Sequence, residues 1–488
     1  MWLAVALFLE LALAGLIPQP HERRQGTDCA SLVAPSVDGA VITSITTEQN
    51  NGICEVYTYL THTGSSDNVS VITFLPISNW NGRYQGTGGS GFSTGGSTDQ
   101  LSGPAQSGWA VGTTDGGLPH DSNSTNFAFN PQLKKNFAYL SIHDMTVIGK
   151  AVAEQFYGVP VAYSYWNGCS TAGGQGYIEA QRYPADYNGI FAGSPPLDYS
   201  HFQVSQLWPW VVQNAEGQFV PTCVFDTLTE GAIELCDIDD GGLDGILSDP
   251  PACQANATVW VGYPAVACDD GGATVITEEH AKIWNKIAYG PVDTNGNWLY
   301  SGIAKGASYN GQTGSTPEQD ASGFIRAWVL NDTNFDLSTI NYSTFPGIFN
   351  LAYQEQNDLV GANNHDLRAF QQAGGKLLSW HGWADSNVYA NGTADYWRRV
   401  QDFMGSGVDV HDFYRLFLAP GVGHCGGGYG AEPVDAFDVL VGWVENGTVP
   451  ETLSASGNGL TRNLCSYPGE LHYTGTGDVN AAESWTCI

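Results

Sequence analysis

The feature that constrains this chain most is the stretch Trp166-Asn167-Gly168-Cys169-Ser170-Thr171-Ala172-Gly173-Gly174. Ahead of it, Val161 to Asn167 is β-branched and aromatic and reads as a strand. Behind it, Thr171 to Arg182 contains no proline and reads as a helix. A strand that turns at once into a helix needs small residues around the turn, because the backbone passes close to itself there. A serine at that apex exposes its Oγ, and the first N–H groups of the new helix point at whatever lies before it. The spacing G-x-S-x-G becomes G-x-S-x-A here, and alanine is still small. An ordinary glycine-rich turn is the plainer reading, but it leaves the strand and helix on either side unexplained.

The surrounding chain alternates in the same way. Ser70 to Leu75, Gly108 to Thr113 and Ile190 to Gly193 read as strands, and Asp144 to Tyr157 has helical spacing of Met145, Val147, Ile148, Val152 and Phe156. Such alternation predicts a parallel sheet covered on both faces. From about residue 205 to 360 the sequence turns rich in Asn, Asp, Gly and Thr, and alternation resumes at Gly375 to Trp380 and Phe413 to Leu418. The expected architecture is therefore α/β, an α/β-hydrolase fold with a mostly parallel sheet. Residues 15–204 and 361–488 form its core, and residues 205–360 form a large inserted lid.

A serine nucleophile needs a base. His424 lies in Ala419-Pro420-Gly421-Val422-Gly423-His424-Cys425-Gly426-Gly427-Gly428, just after a predicted strand, with glycines that let the loop approach. Asp385 ends His381-Gly382-Trp383-Ala384-Asp385, also just after a strand. The chain order Ser, Asp, His is that of the α/β-hydrolases. Asp385 would orient His424, and Ser170 would form an acyl-enzyme with an ester carbonyl. Cys169 precedes the serine and Cys425 follows the histidine, so contact between Ser170 and His424 would bring both thiols within bridging distance.

Composition bounds the partners. With 49 acidic against 17 basic residues the net charge is −32, which disfavours nucleic acid and anionic membrane surfaces. The apolar run from Trp2 to Ile17 contains Ala12-Leu13-Ala14, a small-residue cleavage pattern, so residues 1–14 are expected to be a signal peptide rather than an anchor. Ten cysteines after such a leader predict disulfides and a secreted, extracellular protein. Sequons at Asn68, Asn123, Asn256, Asn331, Asn341, Asn391 and Asn446 fit that route and predict a glycoprotein. Proximity in sequence pairs Cys236 with Cys253, Cys223 with Cys268, Cys29 with Cys54 and Cys465 with Cys487, with exchange among them left open. Nothing in the sequence sets the oligomeric state.

The segments quoted around Ser170, Asp385 and His424 resemble the tannase and feruloyl esterase family, which carries a Cys-Ser, Asp, His-Cys constellation. Further matching pieces are Trp80 to Gly86, His143-Asp144-Met145-Thr146 and Glu179 to Pro184, so the resemblance runs from about Asn81 to about Trp443. Two positions depart from the family pattern Ser-Thr-Gly-Gly-Arg-Gln-Gly: Ala172 stands for Gly and Gly174 for Arg. The resemblance implies a serine carboxylic ester hydrolase acting on phenolic acid esters, such as feruloyl esters of plant cell-wall material, or galloyl esters as in a tannase. The non-enzymatic alternative, a secreted binding protein with a decayed triad, is opposed by the intact Ser170, Asp385 and His424.

The insertion also carries Cys236-Asp237-Ile238-Asp239-Asp240-Gly241-Gly242-Leu243-Asp244-Gly245-Ile246. Crowded carboxylates suit a hard cation such as Ca²⁺, although the EF-hand spacing is missing. The resemblance implies a structural calcium held by side chains of Asp237, Asp240 and Asp244 and carbonyls of Gly242 and Ile246; the plain alternative is a solvated acidic turn. No organic cofactor is expected. Thr171 N–H is the expected first oxyanion donor, and by analogy with other α/β-hydrolases Gly88 or Gly89, in Gly86-Thr87-Gly88-Gly89-Ser90-Gly91, the second. Trp260, Trp284, Trp298, Trp328 and Phe335 are candidates to stack on a phenolic ring, or equally to pack the core.

Overall fold

A computed structural model describes residues 24–119, 125–266, 268 and 274–488. The expected leader and the Asn123 sequon lie outside the described residues. The principal sheet contains β1 (Ala40–Asn50), β2 (Ile53–His62), β3 (Val69–Pro76), β4 (Arg83–Thr87), β5 (Ala110–Thr114), β6 (Tyr163–Cys169), β7 (Gly189–Gly193), β8 (Lys376–Gly382) and β9 (Tyr414–Ala419). Their spatial order is β1-β2-β3-β5-β4-β6-β7-β8-β9. Every pairing from β5 to β9 is parallel.

The expectation of a mostly parallel sheet holds, with two additions. The central parallel strand β4 is not among the expected ones. β1, β2 and β3 form an antiparallel flank joined to β5, and the first two of these are not expected either. They are joined through Asn51 (φ 49°) and Gly52 (φ 80°), the two-residue turn that suits tight hairpins. β1 is an edge strand with no fully buried residue, whose second half, Thr46 to Asn50, is polar, which blunts further pairing there.

Helices cover both faces. On one face, α1 (Ser141–Tyr157) and α2 (Thr171–Arg182) bury Met145, Ile148, Val152, Phe156, Tyr177 and Ile178 against Val56, Val71, Tyr84 and Trp166. α3 (Ala390–Met404) adds Tyr396, Trp397 and Val400 to this core. On the other face, Leu440 and Trp443 of α4 (Ala436–Asn446) pack on Tyr165, Leu378, Trp380 and Phe417. Alternate residues such as Tyr165 and Trp166 serve opposite faces, as a pleated strand requires.

Between β7 and β8 the described residues contribute no strand to this sheet. The segment is helical, including Tyr199–Ser205, Trp208–Glu216, Thr222–Cys236, Glu278–Tyr289 and Phe345–Val360. It packs its own core from Val211, Phe225, Trp284, Tyr309, Phe324 and Phe345, which continues into Phe92, Phe127 and Phe137 of the preceding chain. The five expected cysteine pairs are the five disulfides formed: 29–54, 169–425, 223–268, 236–253 and 465–487. No helix among the described residues is long and apolar enough to cross a membrane.

Candidate active site

Ser170 lies between β6 and α2 with φ 62° and ψ −129°, a conformation unusual for a residue with a side chain. Its N–H donates to Gly193 O at 3.0 Å, which fixes the turn to the end of β7. A Cβ at Gly173 would lie 2.3 Å from that same Gly193 oxygen, so only glycine lets α2 start this close to β7. The Ala172 side chain fits and is buried, and its N–H donates to Gly89 O at 3.0 Å. At Gly174 a Cβ would lie 3.3 Å from the Pro196 ring, so that ring sits where a longer side chain would pass.

The sheet brings the three expected residues together. His424 Nε2 stands 2.9 Å from Ser170 Oγ across 254 residues of sequence, and His424 Nδ1 stands 2.7 Å from Asp385 Oδ2. The ionised carboxylate assigns the ring proton to Nδ1, so Nε2 is free to accept from the serine hydroxyl. Asp385 is buried, and its Oδ1 accepts the N–H groups of Asn387 and Val388 at 2.9 and 2.8 Å. Burial pushes the Asp385 carboxyl up, yet hydrogen bonds from His381 and His424 outweigh it and hold the group at about 2.

The His424 loop is tied down by Cys169–Cys425, with a Cα–Cα distance of 6.0 Å. Cys425 N–H donates to Ser194 Oγ at 3.3 Å, and Gly426, Gly427 and Gly428 all take positive φ. At the end of β8, a Cβ on Gly382 would meet Val422 O at 2.2 Å, so this glycine lets the aspartate strand lie against the histidine loop.

Two residues about the site were not singled out from the sequence. His381 is fully buried, with Nε2 3.1 Å from Asp385 Oδ2 and 2.8 Å from Val388 O, and Nδ1 2.8 Å from Thr393 Oγ1. It is a second imidazole on the same carboxylate oxygen. Gln175 is buried one helical turn beyond Ser170. Its Oε1 accepts Gly89 N–H at 3.1 Å and its Nε2 donates to Thr94 O at 3.1 Å, clamping the glycine-rich loop to α2. Of the two expected loop donors, Gly89 is thus already committed. Thr171, whose N–H opens α2, anchors the loop from the other side through Oγ1 to Gly91 O at 2.8 Å.

The acidic loop lies elsewhere. Asp237 and Asp240 are buried, and Asp237 Oδ1 accepts N–H groups of Asp244 and Ile246 at 3.2 and 3.3 Å. Asp240 Oδ1 accepts Gly242 N–H at 2.9 Å and Asp240 Oδ2 accepts the Ser248 hydroxyl at 2.5 Å. Asp244 takes Ile246 N–H at 3.0 Å and pairs with Arg462. Burial pushes the Asp244 carboxyl up to about 6 against the pull of that guanidinium. All three side chains are oxygen donors of the kind Ca²⁺ takes, but their oxygens are here engaged by backbone N–H groups, the Ser248 hydroxyl and Arg462. Among the described residues, no group of three or more His, Cys, Asp or Glu side chains converges as a metal site does. Of the aromatic candidates, Trp284 and Trp328 are core, Trp260 and Phe335 pack on that core, and Trp298 is exposed.

Comparison with known proteins places this geometry. Residues 54–488 match the family model described as "Tannase and feruloyl esterase". A probable feruloyl esterase of Arthroderma benhamiae is 40% identical, over 95% of this chain and 94% of its own. The solved tannin acyl hydrolase of Aspergillus niger superposes with TM-score 0.84 and 26% identity, covering 94% of each chain. The feruloyl esterase B structure from Aspergillus oryzae superposes with TM-score 0.83 and 25% identity, covering 93% of this chain and 98% of that one.

Proposed function

We propose, from the premise that this chain belongs to the tannase and feruloyl esterase family and is a carboxylic ester hydrolase, that it cleaves esters of phenolic acids through an acyl-enzyme on Ser170. The observation that carries the reading is the unbroken contact Asp385–His424–Ser170. His424 Nε2 takes the Ser170 proton as Oγ attacks the ester carbonyl. The oxyanion that forms is met by the N–H of Thr171 and, from the glycine-rich loop, of Gly88. His424 then protonates the departing alcohol oxygen, and the same nitrogen activates the water that releases the acid. Asp385 stays ionised throughout and holds the imidazolium.

The test is a hydrolysis panel of methyl ferulate, caffeate, p-coumarate, sinapate and gallate, run beside Ser170→Ala. The expected result is turnover of the hydroxycinnamates and a loss of at least about 10⁴-fold in kcat in the variant. Activity within tenfold of wild type, with an unchanged melting curve, would overturn the mechanism. Preference for gallate would keep the mechanism and move the substrate to galloyl esters.

Two further readings belong with this one. Five disulfides support an extracellular enzyme, tested by recovery from culture medium with the N-terminus sequenced. Calcium at Asp237, Asp240, Asp244 and the carbonyls of Gly242 and Ile246 would be structural, since none of these residues touches the triad. A cation bound only by the folded chain raises Tm by mass action. Chelation that leaves Tm unchanged would return the loop to a solvated acidic turn.

A further inference from the structure

A cavity of about 440 Å³ opens between the start of α3 and the helical segment, and neither Ser170 nor His424 lines it. Its wall combines exposed ring faces with small polar groups. Trp298 is 52% exposed and Tyr353 is 42% exposed, whereas Trp284, Tyr309 and Trp328 of the same segment are buried. The Trp298 indole N–H already donates to Tyr289 O at 3.2 Å, which holds the ring and leaves its faces available. A neighbouring cavity of about 540 Å³ shares Trp298, Ser301 and Asn391 with the first, so the indole stands on the boundary between the two.

The polar groups are held in place. His201 lies against Phe349 (centroids 4.0 Å apart, 6° between planes) and Tyr353 (4.6 Å, 15°). Its Nδ1 meets Asp198 Oδ2 at 2.9 Å, and Asp198 Oδ1 accepts the Asn363 amide at 3.2 Å. Asp198 itself takes a left-handed φ of 53°, a conformation uncommon for residues other than glycine. The cation in the lining, Arg399, is paired with Asp395 at 2.6 Å, so the lining offers no unpaired positive charge for an anion. The carboxylates, amides and imidazoles among the aromatics are too polar for a lipid chain. A neutral sugar fits both halves of this surface: its C–H face packs on flat rings, and its hydroxyls both donate and accept.

We propose that this groove is a carbohydrate-binding site for a neutral oligosaccharide, with Trp298 and Tyr353 as stacking platforms. It rests on the esterase reading only in that a sugar-linked ester would then be held by its sugar end as well as its acyl end. Binding is read without catalysis, by retardation of the intact protein in native gels containing soluble arabinoxylan and by titration with xylohexaose and cellohexaose. Wild type is expected to be retarded and to bind at least one hexaose. Trp298→Ala and Tyr353→Ala are expected to weaken binding at least fivefold while Tm and kcat/KM on methyl ferulate stay within twofold. Failure of wild type to bind any of the three probes at millimolar concentration overturns the proposal, as does unchanged binding by both variants. Peptide mapping that finds a glycan on Asn391 would also overturn it, because the protein's own sugar would then fill the groove. Failure of the esterase reading would show itself differently, as absent turnover of the small methyl esters with polysaccharide binding intact.

Discussion

The sheet and the helical segment between β7 and β8 hold their key features in opposite ways. In the sheet the decisive contacts join distant stretches: Ser170 meets His424 across 254 residues, and Cys169–Cys425 closes 256. In the helical segment the covalent ties are local, with disulfides spanning 17 and 45 residues, and the acidic loop's carboxylate-to-backbone bonds reach no further than nine, although Asp244 also pairs with Arg462. Closing a longer loop removes more freedom from the unfolded chain. The candidate catalytic geometry is therefore a property of which strands are neighbours, while the disulfides of the helical segment close short loops.

The contrast is tested most strongly at the far end of the long-range contact. Asp385→Asn is expected to lower kcat about 10⁴-fold on methyl ferulate, because an amide in that place favours the wrong imidazole tautomer. A drop under tenfold would break the claim that the sheet contact runs the chemistry. Next come the covalent ties. Replacing Cys169 and Cys425 together by alanine is expected to cost about 5 kcal/mol of stability and to lower kcat, against about 3 kcal/mol with no change in small-ester kcat for Cys236 and Cys253. Denaturant titration beside steady-state kinetics decides this, and the reverse ranking would undo the comparison.

Gln175 sharpens it at smaller scale. Gln175→Ala is expected to lower kcat by about 10- to 100-fold with KM within about threefold, since it frees the glycine-rich loop without touching the substrate. Gln175→Glu keeps the acceptor for Gly89 N–H and is expected to recover part of the loss. No rescue, with Tm and kcat falling together, would reduce Gln175 to packing.

The smallest effect lies on the buried face of α2, at Glu179, which is fully buried. Burial raises its carboxyl well above 4.5, and the nearby Asp186 adds to the shift while Lys150 opposes it. The folded chain thus holds this proton more tightly than the unfolded one. The resulting stability is complete below pH 4.5 and declines as pH rises through the folded value. Glu179→Gln is expected to raise Tm at pH 8 and leave it unchanged at pH 4. A fall in Tm at pH 8 with no change at pH 4 would show that Lys150 needs the ionised partner.

Much of this molecule obeys rules that are local in the chain. Small residues around a strand-to-helix turn placed Ser170, the ends of predicted strands placed Asp385 and His424, and cysteine spacing paired the short disulfides. Even the unexpected β1–β2 hairpin is written locally, in Asn51-Gly52 between polar and β-branched runs. Sequence could not reveal that His381 shares a carboxylate oxygen with His424, or that Gln175 reaches from α2 to Gly89 and Thr94. Nor did residue type separate Trp284, fully buried, from Trp298, half exposed on a groove, because an indole suits either place. Those outcomes depend on strand order and on which helices meet, and a hydrogen bond or a buried face between distant elements leaves no period or composition in either one.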